Sequence, residues 1–258
     1  MPDIRYAQNE NVDRGDLRMQ VIERGTSTPI DDAKISISYS GDPDSTVEEV
    51  NTDASGMSET LTLDTPPLEL SMQPSEVQPY AEYTIQVTAK GYRPINISGI
   101  EVFSGQLSLQ EIRMDAEETT ESMTDNIVIP AHTLFAEYPP KIAEAEIKPV
   151  TETGEIVLSR VVIPEYVIVH DGAPSDPTAR DYYVRYRDYI KNVASSEIYS
   201  TWPDATIRAN VLAIMSFTLN RVYTEWYRNK GYSFTITSST AYDQKFMYGR
   251  NIYQSISD

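Results

Sequence analysis

The chain has 258 residues, 40% of them hydrophobic, enough to bury a core in one or two domains. It contains no cysteine and two histidines, His132 and His170, which excludes disulfides, thiolate nucleophiles and Cys-based metal sites and leaves His-rich metal centres poorly supported. The net charge of −18 is uneven: residues 1–125 hold 24 acidic and 8 basic side chains and residues 126–258 hold 15 and 13, so the front half repels nucleic acid and anionic membranes.

No apolar run approaches the roughly 18 residues that span a bilayer, so no membrane insertion is expected. The opening Met1-Pro2-Asp3-Ile4-Arg5 lacks the apolar core of a signal peptide. Residues 1–14 are expected to be a flexible N-terminus. From Gly15 to Ala116, short alternating runs follow one another: Leu17–Ile22, Lys34–Tyr39, Met57–Leu63, Tyr83–Ala89, Ile95–Ile100 and Leu107–Met114. Period-two alternation is what a half-buried strand requires. The breaks between them, Ser40-Gly41-Asp42-Pro43, Asp53-Ala54-Ser55-Gly56, Asp64-Thr65-Pro66-Pro67 and Lys90-Gly91-Tyr92-Arg93-Pro94, have the composition of tight turns. Residues 15–116 therefore read as an antiparallel β-sandwich of six or seven strands.

This stretch resembles the carboxypeptidase regulatory-like (transthyretin-like) domain, on Thr28-Pro29-Ile30-Asp31-Asp32-Ala33-Lys34-Ile35, Thr52-Asp53-Ala54-Ser55-Gly56 and Tyr83-Thr84-Ile85-Gln86-Val87 with Lys90-Gly91-Tyr92. The resemblance implies a scaffold or adhesion module with no catalysis of its own.

Residues 117–126 are polar and acidic and read as a linker. Beyond it, Pro130, Pro139, Pro140 and Pro149 favour extended chain, and Ile156–Leu158, Val161–Ile163 and Tyr166–His170 read as strands. The period then changes. Between Tyr186 and Ile198, Ile190, Val193, Ala194 and Glu197 fall on one helical face. After a break at Ser200-Thr201-Trp202, Pro203 suits a first helical position and Asp204 the positive end of the helix dipole. This second helix is expected to run to about Lys230 and stop at Gly231. Its run Val211-Leu212-Ala213-Ile214-Met215 is apolar all round, which predicts a buried central helix. Tyr232–Thr237 alternates as a strand. The chain is thus expected to be α+β and multidomain, a β-sandwich ahead of a mixed α+β domain over residues 127–258.

Glu197 stands beside an apolar stripe at a helix end. Loss of hydration there raises a carboxylate's pKa and keeps it protonated, the state a general acid needs. The same position also suits a glutamate facing solvent, or one paired with Lys191 or Arg208, and spacing does not choose between these.

The run from Asp188 to Pro203, with Tyr189-Ile190, Val193-Ala194-Ser195-Ser196-Glu197 and Trp202-Pro203, resembles the opening of the domain named for stage II sporulation protein D. The helix Ala205–Ala213 and the segment Thr240, Gln244 and Phe246 extend the match. Residues 127–258 are also similar to the clostridial spore cortex-lytic enzymes, which carry a regulatory-like β domain ahead of the catalytic one. The resemblance implies a lytic transglycosylase of spore cortex peptidoglycan, located in the cortex or coat and acting in germination, with glycan strands as its partner. It makes Glu197 the catalytic acid and Thr240 and Gln244 substrate-positioning residues. Tyr199, Trp202 and Tyr242 offer faces for sugar rings, or pack in the core. No cofactor is implied. Ser238, Tyr242 and Asp243 stand where some members carry zinc-binding Cys and His, so no metal is expected. The family's later half is not found, which suggests a truncated domain; the alternative to an enzyme is a non-catalytic peptidoglycan-binding or coat-assembly module. Nucleic-acid binding is disfavoured, because there is no Gly-rich phosphate loop and Arg180, Arg185, Arg187 and Lys191 are interleaved with acids.

Overall fold

A computed structural model describes residues 12–117, 124–143 and 161–258. The expected strand at Ile156–Leu158, most of the N-terminal segment and most of the linker lie outside the described residues. The chain is mixed α+β with sheet predominating, and it divides into two compact units. The first holds the described residues up to Ala131 together with Tyr199–Trp202 and Tyr248–Asp258; the second holds His132–Ile198 and Pro203–Met247.

The first unit contains strands β1 (Asp13–Glu23), β2 (Lys34–Tyr39), β3 (Asp42–Asn51), β4 (Leu61–Thr65), β5 (Ala81–Thr88), β6 (Ile95–Val102), β7 (Leu107–Met114) and β8 (Asp125–Val128). Helix α1 (Glu69–Met72) is a single turn between β4 and β5. One sheet has the order β3-β2-β5-β6-β8. The other runs β7-β1-β4 and gains an outer strand from Ile252–Tyr253 near the C-terminus. Alternation decides which side chains go inward: Leu17, Met19 and Val21 of β1 are fully buried while Arg14 and Arg18 are exposed, as a strand with one wet face demands. The two sheets meet closely. A Cβ added at Gly15 of β1 would stand 2.2 Å from the Phe103 carbonyl oxygen, so only glycine fits there, and the Tyr83 hydroxyl of β5 donates to the Asp64 carbonyl of β4 at 2.6 Å.

Two expectations need correction here. The sandwich is mixed, not purely antiparallel: β1 pairs with β7 in parallel from Asp16↔Leu107 to Glu23↔Met114, and β6 pairs in parallel with β8. Second, β3 lies where a turn and nothing more was read. Four of its ten residues are acidic, and Ser45–Glu49 are exposed with Val50 turned into the core, so it carries little of the apolar alternation that marks a strand.

The unit closes around a buried ion pair. Glu101 and Arg250 are both fully inaccessible and bonded to each other, and the Tyr253 hydroxyl donates to Glu101 Oε2 at 3.2 Å. Asn251 adds a reciprocal amide clasp to the Glu101 backbone, accepting its N–H at 3.3 Å and donating to its carbonyl at 2.9 Å. These contacts carry residues far along the sequence into the sandwich, which is why Tyr248–Asp258 belongs to this unit and not to a domain spanning 127–258.

In the second unit β9 (Tyr166–His170) is central to a three-stranded sheet, antiparallel to β10 (Asp181–Arg185) and parallel to β11 (Ile236–Thr237). The expected strand at Tyr232–Thr237 shrinks to those last two residues. Val161–Ile163 is not a strand and its side chains are exposed. Helix α2 (Tyr186–Glu197) follows β10 directly, and α3 (Asp204–Tyr223) follows Pro203, which caps the helix one residue before its first turn. The buried helix is α2, with eight of twelve residues inaccessible. In α3 only Ile207, Ile214, Thr218 and Arg221 are buried, on a single face, and Leu212 is 62% exposed, so the apolar run at 211–215 does not make it a buried central helix. Nor does α3 reach Lys230. Glu225 takes a left-handed conformation (φ 49°), Trp226 and Tyr227 turn into a cluster with Phe234, and a separate 3₁₀ turn, Arg228–Lys230, ends at Gly231 (φ 87°).

Removing one member of a buried ion pair strands the other. Arg250→Ala is expected to destabilise the first unit by about 3–5 kcal/mol. The unit's single tryptophan, Trp202, reports this as a lower urea midpoint in fluorescence, measured with Trp226 replaced by Phe.

Candidate active site

The last turn of α2 presents the candidate acid. Ile190, Val193 and Ala194 are buried on the face that periodicity predicts, and Glu197 shares that face at the helix C-terminus. Its Oε1 accepts the backbone N–H of Lys245 at 2.6 Å. Oε2 has no hydrogen-bond partner among the described residues. Burial pushes the carboxyl above its ordinary pKa, against the opposing pull of the Lys245 N–H and the Lys141 charge. Arg208, one of the partners that spacing allowed, pairs instead with Asp204 at 2.9 Å. Among the described residues, no second carboxylate influences the titration of Glu197.

The Lys245 N–H is held in place by a segment, residues 237–247, that is fixed to both helices. Asn192 of α2 donates to the Met247 carbonyl at 2.8 Å and accepts the Met247 N–H at 2.9 Å. Asp243 is wholly buried. Its Oδ1 accepts Arg221 Nε at 2.8 Å, and its Oδ2 accepts the Tyr227 hydroxyl at 2.5 Å and the N–H and hydroxyl of Thr237 at 2.9 and 2.7 Å. The Arg221 guanidinium lies 4.2 Å from the centre of the Trp226 ring and 4.5 Å from that of Phe217, which shields it from water. Lys141 completes the clasp, donating to the Asp243 carbonyl at 2.8 Å.

Of the residues singled out from sequence, Glu197, Thr240, Tyr242 and Gln244 fall in the second unit, and Tyr199 and Trp202 in the first. Gln244 is committed to the fold: its Oε1 accepts the hydroxyls of Thr218 (2.8 Å) and Tyr189 (3.3 Å), and its Nε2 donates to the Ile214 carbonyl at 3.2 Å. No polar capacity of its amide oxygen is left over for a sugar, so it acts as a structural pin between the segment and the helices. Tyr199 packs on Phe103 with ring centres 5.3 Å apart, and Trp202 donates from its indole N–H to the Ser71 carbonyl at 3.1 Å. Both serve the packing of the first unit. Thr240, its hydroxyl 3.3 Å from the Pro139 carbonyl, and Tyr242 are partly exposed.

Sequence reasoning missed Asn192, Asp243, Lys141 and Lys245. A signal for the Asp243 centre was present: Ile207, Ile214, Thr218 and Arg221 share one helical face, and a cation at the end of an apolar stripe calls for a buried anion. Its location in a loop was not readable. Among the described residues, no three of His, Cys, Asp or Glu converge as metal ligands would.

Two outcomes follow from this geometry. Asp243→Asn leaves the Arg221 charge buried without its anion and is expected to lower stability of the second unit by about 3–5 kcal/mol, seen in Trp226 fluorescence with Trp202 replaced by Phe. Glu197→Gln keeps an acceptor for the Lys245 N–H and removes a carboxyl whose folded pKa lies above its unfolded one. The folded state holds that proton more tightly, so the carboxyl's contribution is complete below the unfolded pKa and is lost as pH rises through the folded value. Glu197→Gln is therefore expected to melt about 2 °C higher than the parent at pH 7 and to lose that advantage near pH 4.

No protein-family model matches the sequence, and no curated protein matches it. Solved structures do, at a distance. The chain is similar to the Bacillus anthracis TIE protein, with 15% identity over 40% of this chain and 17% of that one and a TM-score of 0.28. It is similar to GBS52, the minor pilin of Streptococcus agalactiae, with 11% identity over 42% and 47% and a TM-score of 0.29. It is also similar to Klebsiella pneumoniae 5-hydroxyisourate hydrolase, with 16% identity over 40% and 92% and a TM-score of 0.27. The chain spans less than half the length of the first two. Likenesses at these scores carry no argument about what this chain does.

Proposed function

We propose that the second unit carries a lytic transglycosylase site that cleaves peptidoglycan strands, with Glu197 as its acid and base. The observation that carries this reading is the Glu197 carboxyl: desolvated, held through one oxygen by the Lys245 N–H, and with no hydrogen bond to the other among the described residues. The sporulation protein D-like run from Asp188 to Pro203 supports the same assignment, and the spore cortex as the particular substrate rests on that resemblance.

In this reading protonated Glu197 gives its proton to the oxygen bridging N-acetylmuramic acid and N-acetylglucosamine. The bond from the muramyl C1 to that oxygen breaks, and the leaving sugar departs as an alcohol. Positive charge develops at C1, and the Glu197 carboxylate now faces it. The muramyl C6 hydroxyl then bonds to C1 while its proton passes to Glu197, which restores the acid and closes a 1,6-anhydro ring. No water is consumed. One carboxyl suffices because the nucleophile belongs to the substrate, in contrast to the two carboxyls of ordinary glycosidases.

The test is digestion of purified spore peptidoglycan by the parent chain and by Glu197→Gln, with mass spectrometry of the products. Anhydro-muropeptides from the parent, and a drop of at least about 100-fold in the variant, are expected for loss of the proton donor. Because the acid must be protonated, the parent's rate should fall as pH rises through the raised pKa of Glu197. Reducing-end products formed with water would replace this reading by hydrolysis. Binding of strands with no product from either protein would favour a non-catalytic peptidoglycan-binding module.

A further inference from the structure

The order β10-β9-β11 leaves one side of β10 without a neighbouring strand among the described residues. Which backbone groups face that open side follows from the hydrogen bonds at its two ends. The Asp171 N–H donates to the Arg180 carbonyl at 2.8 Å, and the Tyr186 N–H donates to the Glu165 carbonyl at 2.9 Å. Bonded and unbonded residues alternate along an antiparallel pair. With Asp181 opposite His170 and Arg185 opposite Tyr166, the bonds to β9 fall on Tyr182 and Val184. Asp181 and Tyr183 therefore point their N–H and C=O groups outward. Arg185 points its N–H outward, while its carbonyl, at the N-cap of α2, accepts the first bond of that helix.

Natural proteins blunt such an edge with proline, lysine or a bulge. β10 has none of these, only five residues in unbroken register. Tyr183 at its centre is 75% exposed, the highest value for a large hydrophobic side chain among the described residues. The strand is also complementary to itself. Two copies set antiparallel about Tyr183 place Asp181 of each opposite Arg185 of the other, Tyr182 opposite Val184, and Tyr183 opposite its counterpart. In this register the outward groups meet: the two Tyr183 residues exchange a pair of hydrogen bonds, and each Arg185 N–H reaches an Asp181 carbonyl. A slip of one residue sets outward groups against inward ones, and a slip of two moves Asp181 off Arg185.

The charges are free to pair. The Arg185 guanidinium lies 5.8 Å from the centre of the Tyr166 ring and enters no ion pair among the described residues. Asp181 gives Oδ1 to His170 Nδ1 at 2.7 Å, but Oδ2 has only the Ser233 hydroxyl at 3.5 Å. By contrast the charged residues of β3, β4 and β8 are all acidic, so two copies of those strands would repel. Residues 126–258 are close to neutral, with 15 acidic and 13 basic side chains, so the half that carries β10 does not strongly repel its copy.

We propose that β10 is a self-association edge, through which two copies of this chain join their three-stranded sheets into one six-stranded sheet about a two-fold axis at Tyr183. The proposal is independent of the transglycosylase reading and asks nothing of Glu197. One short strand is a small contact, so the dimer is weak and forms only at high concentration.

The experiment is sedimentation velocity on the full chain from roughly 5 to 500 μM, where mass action would reveal such an equilibrium. The parent's average mass should rise from that of one chain toward two. Arg185→Asp sets like charges opposite each other and should weaken association at least about tenfold. Asp181→Arg should do the same, and an equimolar mixture of these two variants should associate again, because their charges are then opposite. Tyr183→Pro removes the central outward N–H without touching a bond to β9, so it should stay monomeric and melt within about 2 °C of the parent. It keeps the test decisive if Asp181→Arg, which also deprives His170 of its acceptor, fails to fold. A parent that stays monomeric throughout overturns the proposal. So does a dimer that both Arg185→Asp and Tyr183→Pro leave intact, which would lie on another surface. Slow hydrogen exchange of the Tyr183 N–H in a monomeric parent would place another segment of this chain on the edge and overturn it as well.

Discussion

The second unit depends on one fully buried carboxylate. Asp243 receives donors from the end of α3, from the turn beyond it and from β11, so a single side chain ties together three pieces of chain that have no common hydrogen-bonded ladder. A carboxylate can be this deeply buried because its acceptor sites are filled and a guanidinium balances its charge; with any of these missing, desolvation would dominate. The next residue, Gln244, takes its bonds from α2 and α3, and the one after it delivers its N–H to Glu197. The position of the candidate acid's hydrogen-bond donor is therefore fixed from two residues away. Burial raises the pKa of this carboxyl, and the single N–H and the Lys141 charge oppose that shift.

The first unit uses the same device for a different end. Glu101 and Arg250 form a buried pair joined by a tyrosine hydroxyl, as Asp243 and Arg221 do, and Glu82, opposite Glu101 on β5, is pushed above its ordinary pKa by burial and by the Glu101 charge. The pair's effect is to fix register: Tyr253 lies opposite Ser108 at the sheet edge, and the Asn251 clasp allows no slippage along β6. Buried ionic pairs add little net stability compared with apolar packing, but they reject alternative arrangements that would leave a charge alone.

Much of this was legible from residues. Lys34–Tyr39 and Leu107–Met114 coincide with strands because their alternation is clean, and α2 begins at Tyr186 as its period predicts. The stripe of Ile190, Val193 and Ala194 placed Glu197 beside a buried face. What failed did so for identifiable reasons. The apolar run in α3 suggested burial on every side, yet short-range composition does not reveal how many neighbours a helix will have. The strand β3 was hidden by acidic residues. Gln244 had the right spacing for a substrate contact, but its partners Tyr189, Ile214 and Thr218 lie 26 to 55 residues away, beyond any local pattern. Lys141 and Lys245 likewise acquire meaning only when the chain brings them to Glu197.

The acidity of β3 has a bearing on how the protein behaves in company. This strand bonds to β2 on one side, so its other edge offers open backbone groups to any passing strand. Glu48 and Glu49 stand along it, and like charges on two such edges repel before backbone hydrogen bonds can form between molecules. Glu49 is held below its ordinary pKa by hydrogen bonds from Lys34 and Ser36, so it keeps its charge further into acid than an unassisted glutamate. The cost of hiding β3 from pattern recognition is thus matched by a colloidal benefit. The strand hardest to read is one whose charged edge disfavours pairing with a like edge.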